Sequence, residues 1–195
     1  MEKNIINDVI RFFNNRNCLI RAEICGVNSI ILYDKGKLSS VVYTTDTNKH
    51  ITYNSITNIP DEIEYKGKIA FEGVLIKIND EGIYKFVVYD IPYIEDKFEW
   101  EDDVDEENYI TTNKSSVYNK INLAGYLGFD IVPLTVHTMD INRTPTAVKK
   151  ALKMIKESCD MLGYPIGQYA VLYNDTLYAD RLKSNNIPIK MEFSK

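Results

Sequence analysis

A chain of 195 residues with 45% hydrophobic content can bury a sizeable core in one domain, or in one domain with a small lobe. A net charge of −5 excludes a globally basic nucleic-acid binder, since any phosphate contact would need a local basic patch. The apolar run 69–78 is broken by Glu72 and Lys77 and is far too short for a bilayer span, which excludes a membrane-spanning role.

The chain opens without the apolar core of a secretory signal, which implies a cytoplasmic protein. Its three cysteines, Cys18, Cys25 and Cys159, form no Cys-x-x-Cys pair. With only His50 and His137 beside them, no zinc site of ordinary spacing is expected. Helical spacing of Ile5, Ile6, Val9, Ile10 and Phe13 predicts an amphipathic helix over 3–13. Residues 19–78 read as an antiparallel sheet of short β-branched and aromatic runs, with turns at Asp34-Lys35-Gly36 and Ile59-Pro60-Asp61. Strands over 74–78 and 84–91 flank a tight turn at Asn79-Asp80-Glu81-Gly82.

After Pro92 the acid-rich stretch near 95–108 reads as a solvated, flexible insert. A helix is expected over 116–127 and a strand over 129–134. A second helix starts at Thr144 as N-cap with Pro145 in its first turn. It carries Val148, Leu152, Ile155, Cys159 and Leu162 on one face and stops at Gly163. Lys149, Lys150, Lys153 and Lys156 recur opposite that face, as a solvated surface or a modest phosphate-binding strip. Strands over 169–173 and 188–193 finish the chain, which reads as a single α+β domain over 1–195.

Several segments carry chemical interest. Arg21-Ala22-Glu23-Ile24-Cys25-Gly26-Val27-Asn28 is followed by Ile69-Ala70-Phe71-Glu72-Gly73-Val74, then Tyr89-Asp90-Ile91, then Leu127-Gly128-Phe129-Asp130-Ile131-Val132-Pro133. Tyr164 to Asn174 and the closing Ile189-Lys190-Met191-Glu192-Phe193 come last. In order and spacing these resemble the covalent nucleotidyltransferase superfamily of RNA ligases, DNA ligases and messenger-RNA capping enzymes. The first is similar to the Lys-x-x-Gly motif, with Gly26 and Asn28 matching and Glu23, Cys25 and Val27 departing. In the second, Gly73 is followed by Val74, leaving the family's acid absent or displaced to Glu72. Tyr89-Asp90-Ile91 keeps the pattern of the aromatic strand that stacks on the purine. In the fifth, Gly167, Gln168 and Leu172 replace an acid, a glycine and a lysine. In the last, Lys190 is the surviving base and Glu192 takes the usual lysine position.

The resemblance implies a ligase-type (ATP-grasp-like) nucleotidyltransferase fold of antiparallel sheets flanked by helices. It also implies a nucleotide site built from Glu23, Cys25, Gly26, Asn28, Glu72, Tyr89 and Lys190. Only a neutral amine can attack the α-phosphorus to form a phosphoramidate, and a carboxylate at Glu23 cannot replace it. The distal lysines that would stabilise the pentavalent phosphorus are missing too. The expectation is therefore a degenerate ligase-like domain that binds ATP or NAD noncovalently, or binds a protein partner, with nucleic acid disfavoured by the charge. Two alternatives stand beside it: an active ligase with an unconventional nucleophile, and an acidic inhibitor or regulatory factor contacting its partner through the 95–108 insert.

Blander roles remain open for each residue. Glu23 reads equally as a solvent-facing strand residue. Cys25 reads as a small buried apolar side chain, having no neighbouring cation in sequence to activate it. Tyr89 is balanced between sheet packing and base stacking, Glu72 reads as a surface carboxylate, and His137 as a strand-end histidine.

Overall fold

The computed structural model describes residues 18–43, 55–95, 117–137 and 144–173. In chain order these form β1 (Cys18–Ile24), β2 (Val27–Asp34), β3 (Lys37–Tyr43), β4 (Lys68–Lys77), β5 (Tyr84–Ile94), α1 (Val117–Tyr126), β6 (Thr135–His137), α2 (Pro145–Met161) and β7 (Ile166–Tyr173). The protein is α+β, and the pairings within both of its sheets are antiparallel. The helix expected over 3–13, the strand over 188–193, Lys190, and the acidic insert beyond Glu95 lie outside the described residues. The chain divides into two compact units, the first containing β1, β6, α2 and β7, the second β2 to β5 and α1.

In the second unit the sheet runs β3-β2-β4-β5. The β2–β3 hairpin follows directly from its sequence: Lys35 and Gly36 both have positive φ, at 51° and 78°, the signature of a two-residue type I′ turn. One face of the sheet carries Ile31, Tyr33, Ile69, Phe71, Leu75, Phe86 and Val88 into a core closed by Leu123 and Ala124 of α1 and by Leu127 just beyond it. At its centre Tyr33 meets Phe71 and Phe129 edge-on, with ring centroids 5.9 and 5.7 Å away. The Tyr33 hydroxyl donates to the Pro60 carbonyl, so its one polar group is satisfied. On the other face Ile30, Leu32 and Ala70 form a smaller buried cluster.

The outer edge of β5 is sealed by loop groups. The Asn58 side-chain amide acts as a surrogate strand, accepting from the Phe86 N–H at 2.7 Å and donating to the Phe86 carbonyl at 2.8 Å. Flanking it, Thr57 N–H donates to the Tyr84 carbonyl and Val88 N–H to the Asp130 carbonyl. Covering an edge in this way removes a template for unwanted pairing. Pro92 is tolerated because it falls at an irregularity of the ladder, where Ile91 and Pro92 together oppose a single residue of β4.

The first unit is a three-stranded sheet, β6-β1-β7, with α2 beside it. The helix starts as its sequence predicts, Thr144 capping with its hydroxyl oxygen accepting from the Ala147 N–H at 3.2 Å. Val148, Ala151, Leu152, Ile155 and Cys159 are buried along one side. The Tyr169 hydroxyl of β7 donates to the Leu152 carbonyl at 3.3 Å.

Four expectations are corrected. Residues 19–78 are not one sheet, because β1 and β2 join different sheets although only Cys25 and Gly26 separate them. Neither linking residue has positive φ, so they cannot make the hairpin turn that Lys35-Gly36 makes. Residues 129–134 are not a regular strand: Phe129 turns into the core and Ile131 forms only an isolated bridge to Val88. The strand near 74 begins at Lys68, with the segment from Ile69 already within it. Leu162, expected on the apolar face of the second helix, is the C-cap and is exposed.

Candidate functional site

The sequence-derived residues fall in two clusters, one in each unit. In the first, Glu23 stands near the end of β1, half-buried, directly across from Gln168 on β7. The register slips between Glu23 and Ile24, which leaves Gly167 as the extra residue of a bulge. A Cβ on Gly167 would lie 2.9 Å from Cys25 Sγ, so a glycine is what lets the thiol sit there. Cys25 is exposed, not buried as its size and apolar character suggested. The alternation of β1 ends at buried Ile24, and Cys25 follows it in the link, where its N–H donates to the Pro165 carbonyl at 2.7 Å. Leu172 pairs with Leu19, four residues from Glu23 along β1, roughly 13 Å at the rise of a strand. Glu23 on β1 and the bulged Gly167 of β7 are therefore on neighbouring strands.

The second cluster lies on β2, β4 and β5. Gly26 enters β2 tightly against β4: a Cβ there would collide with the Leu75 carbonyl oxygen and lie 2.6 Å from Val74 Cγ2. Asn28 is exposed and pairs with Val74. Glu72, half-buried, lies between Ile30 and Asp90 in register, on the sheet face opposite Phe71. The register of β4 with β5 shifts on both sides of Glu72, so β5 carries surplus residues here, Tyr89 among them. Tyr89 is only 7% exposed.

Lys120 is the residue that sequence reasoning missed. Its ammonium lies 3.6 Å from Asp90 Oδ1, with the lysine side chain 2% exposed and the aspartate side chain 10%. The same aspartate oxygen accepts the Ile91 N–H at 2.8 Å. Such a pair persists in an apolar setting only because each ion meets its counter-ion and further polar groups. The signal was present in the spacing: Lys120, Leu123, Ala124 and Leu127 share one helical face, which places a lysine on the buried side of α1.

Lys149, Lys150, Lys153 and Lys156 are exposed on α2, as expected. Lys153 pairs with Glu157 at 3.5 Å and Lys156 with Asp160. The hydrogen bond that the Lys156 ammonium donates to the Asp160 carboxylate raises its pKa above the ordinary value. His137 ends β6. Among the described residues no cluster of three or more His, Cys, Asp or Glu could hold a metal ion, and no helix is long and apolar enough to cross a membrane.

The architecture defines an α+β protein with two antiparallel sheets and a polar cluster on each. No protein-family model matches the sequence, and no curated protein matches it either.

Proposed function

We propose that the protein is a ligase-like nucleotidyltransferase domain that has given up covalent chemistry and binds an adenine nucleotide, ATP or NAD, noncovalently. The observation that carries the reading is the pairing of Glu23 with Gln168 across β1 and β7. The resemblance would have this strand pair hold a lysine and an acid, and here the lysine position is Glu23, whose carboxylate cannot attack phosphorus. A carboxylate beside a triphosphate is repulsive, so Glu23 suits the ribose or base edge of a ligand better than its phosphates.

Calorimetry with ATP and NAD tests this directly. The expected outcome is saturable heat with one of them, weakened about tenfold by Glu23→Ala, a loss equivalent to one hydrogen bond to a ligand. Incubation with radiolabelled ATP or NAD should leave no acid-labile adduct. Absence of heat with both ligands removes the nucleotide reading, and a phosphoramidate on any lysine returns the protein to the active ligases.

A further inference from the structure

Among the described residues five large hydrophobic side chains are exposed, and three of them, Met154, Met161 and Leu162, lie at the C-terminal half of α2 or its cap. Met154 is 46% and Met161 85% exposed. They stand seven residues apart, and Ala147 is seven before Met154, so the three form one line along the helix, the spacing of a helix–helix seam. Small residues border the line on one flank: Ala151, and Ser158, whose hydroxyl donates to the Met154 carbonyl at 2.9 Å. With its proton turned onto its own helix, Ser158 presents little polarity to a neighbour. On the other flank stand Lys150 and Glu157, each three residues after a member of the line.

We infer that this line is the contact surface for a second copy of the same chain, packed antiparallel across a two-fold axis at Met154. The choice of occupant rests on charge. In a symmetric antiparallel pair equal flanks meet while the helix direction reverses, so the flank of Lys150 and Glu157 meets its own image inverted. Lys150 then lies beside Glu157 of the second copy, and Glu157 beside Lys150 of the second copy. Along the seam Ala147 faces Met161 of the second copy, small against large, and Met154 meets its own symmetry mate. A parallel pairing would set equal residues level with one another and offers no such complement. Methionine suits the centre because its flexible thioether fills an imperfect seam.

A helix of 17 residues is about 25 Å long, and one such seam buries an area at the low end for specific interfaces. Association is therefore weak and concentration-dependent. Sedimentation velocity on the full chain, from about 1 to about 500 μM, reads it. The expected result is a reversible monomer–dimer equilibrium that Met154→Glu abolishes by placing two like charges on the axis. Lys150→Glu and Glu157→Lys should each weaken it roughly tenfold, and the double swap K150E/E157K should restore it, since only a self-inverted flank regains its complement. All three positions carry solvent-facing side chains, and circular dichroism verifies that each variant keeps its fold. A chain that stays monomeric throughout, a dimer indifferent to Met154→Glu, or a double swap no better than the singles would overturn the proposal.

Discussion

The two units handle the same material, short β-strands with one described helix each, in opposite ways. The four-stranded sheet of the second unit buries clusters on both faces and has the outer edge of β5 sealed by Asn58, Thr57 and Asp130. The three-stranded sheet of the first is accompanied by an exposed thiol at Cys25 and a helix with methionines facing solvent. Three residues that keep the ligase-like pattern show what the second unit requires. Gly73, Tyr89 and Asp90 sit in the second unit, and each has a packing duty. A Cβ on Gly73 would strike the Val87 carbonyl and the Phe86 ring, Tyr89 is buried where β5 carries surplus residues, and Asp90 neutralises Lys120. Glu23 and Gly167, which depart from it, sit in the first unit, where Gly167 too has a packing reason, a Cβ there lying 2.9 Å from Cys25 Sγ. Retention in the second unit is therefore what a packed sheet requires whether or not a ligand is bound.

The sharpest way to break the comparison is through the buried pair. Lys120→Met should cost about 3–5 kcal/mol, because it strands the Asp90 carboxylate in an apolar setting. Adding Asp90→Leu should recover much of that loss, although its bond to the Ile91 N–H goes as well. Denaturant melts give the magnitude, and hydrogen exchange resolved by strand shows whether the loosening centres on β4 and β5. If Lys120→Met leaves stability unchanged, the second unit is less tightly built than its burial implies.

A smaller loss is expected at the start of α2. Thr144→Ala removes the acceptor for the Ala147 N–H and should cost about 1 kcal/mol. Thr144→Ser keeps the oxygen and should cost much less. Both effects should appear in exchange of the first turn of α2 before they appear elsewhere.

What was legible in the sequence was what local chemistry decides. The N-cap Thr144 and Pro145, the Asp34-Lys35-Gly36 turn and the Asn79–Gly82 turn each announce themselves through residues with a specific backbone use. The division of β1 and β2 between sheets was not legible, because alternation tells which face a residue takes but not which strand it pairs with. The 129–134 segment misled for a related reason: Phe129-Asp130-Ile131-Val132 has the composition of a strand, yet Phe129 serves an aromatic cluster and Asp130 accepts from Asn58. In the candidate site, the pairing of Glu23 with Gln168 was not legible, because the order of segments does not say which strands lie side by side. Nor were the exposure of Cys25 and the burial of Lys120, since both depend on where a strand or helix ends against its neighbours.

The finest test lies within the first unit, between its two described free thiols. Burial holds the Cys159 thiol above its ordinary pKa, whereas Cys25 is open to solvent. In the unfolded chain Cys159 ionises first, at about 8.5, while in the folded protein it stays protonated to higher pH. Its contribution is therefore fully present below that pH and is lost as pH rises through the folded value, because the unfolded state releases its proton earlier. Stability should decline on the alkaline side with a component that Cys159→Ala removes, at the cost of a small cavity. Site-resolved alkylation supplies the companion measurement: Cys25 should react at the rate of an exposed thiol and Cys159 only through opening of α2. Equal rates at the two sites would mean that α2 opens as readily as the link beyond β1, and the packing assigned to its buried face would have to be weaker than its burial indicates.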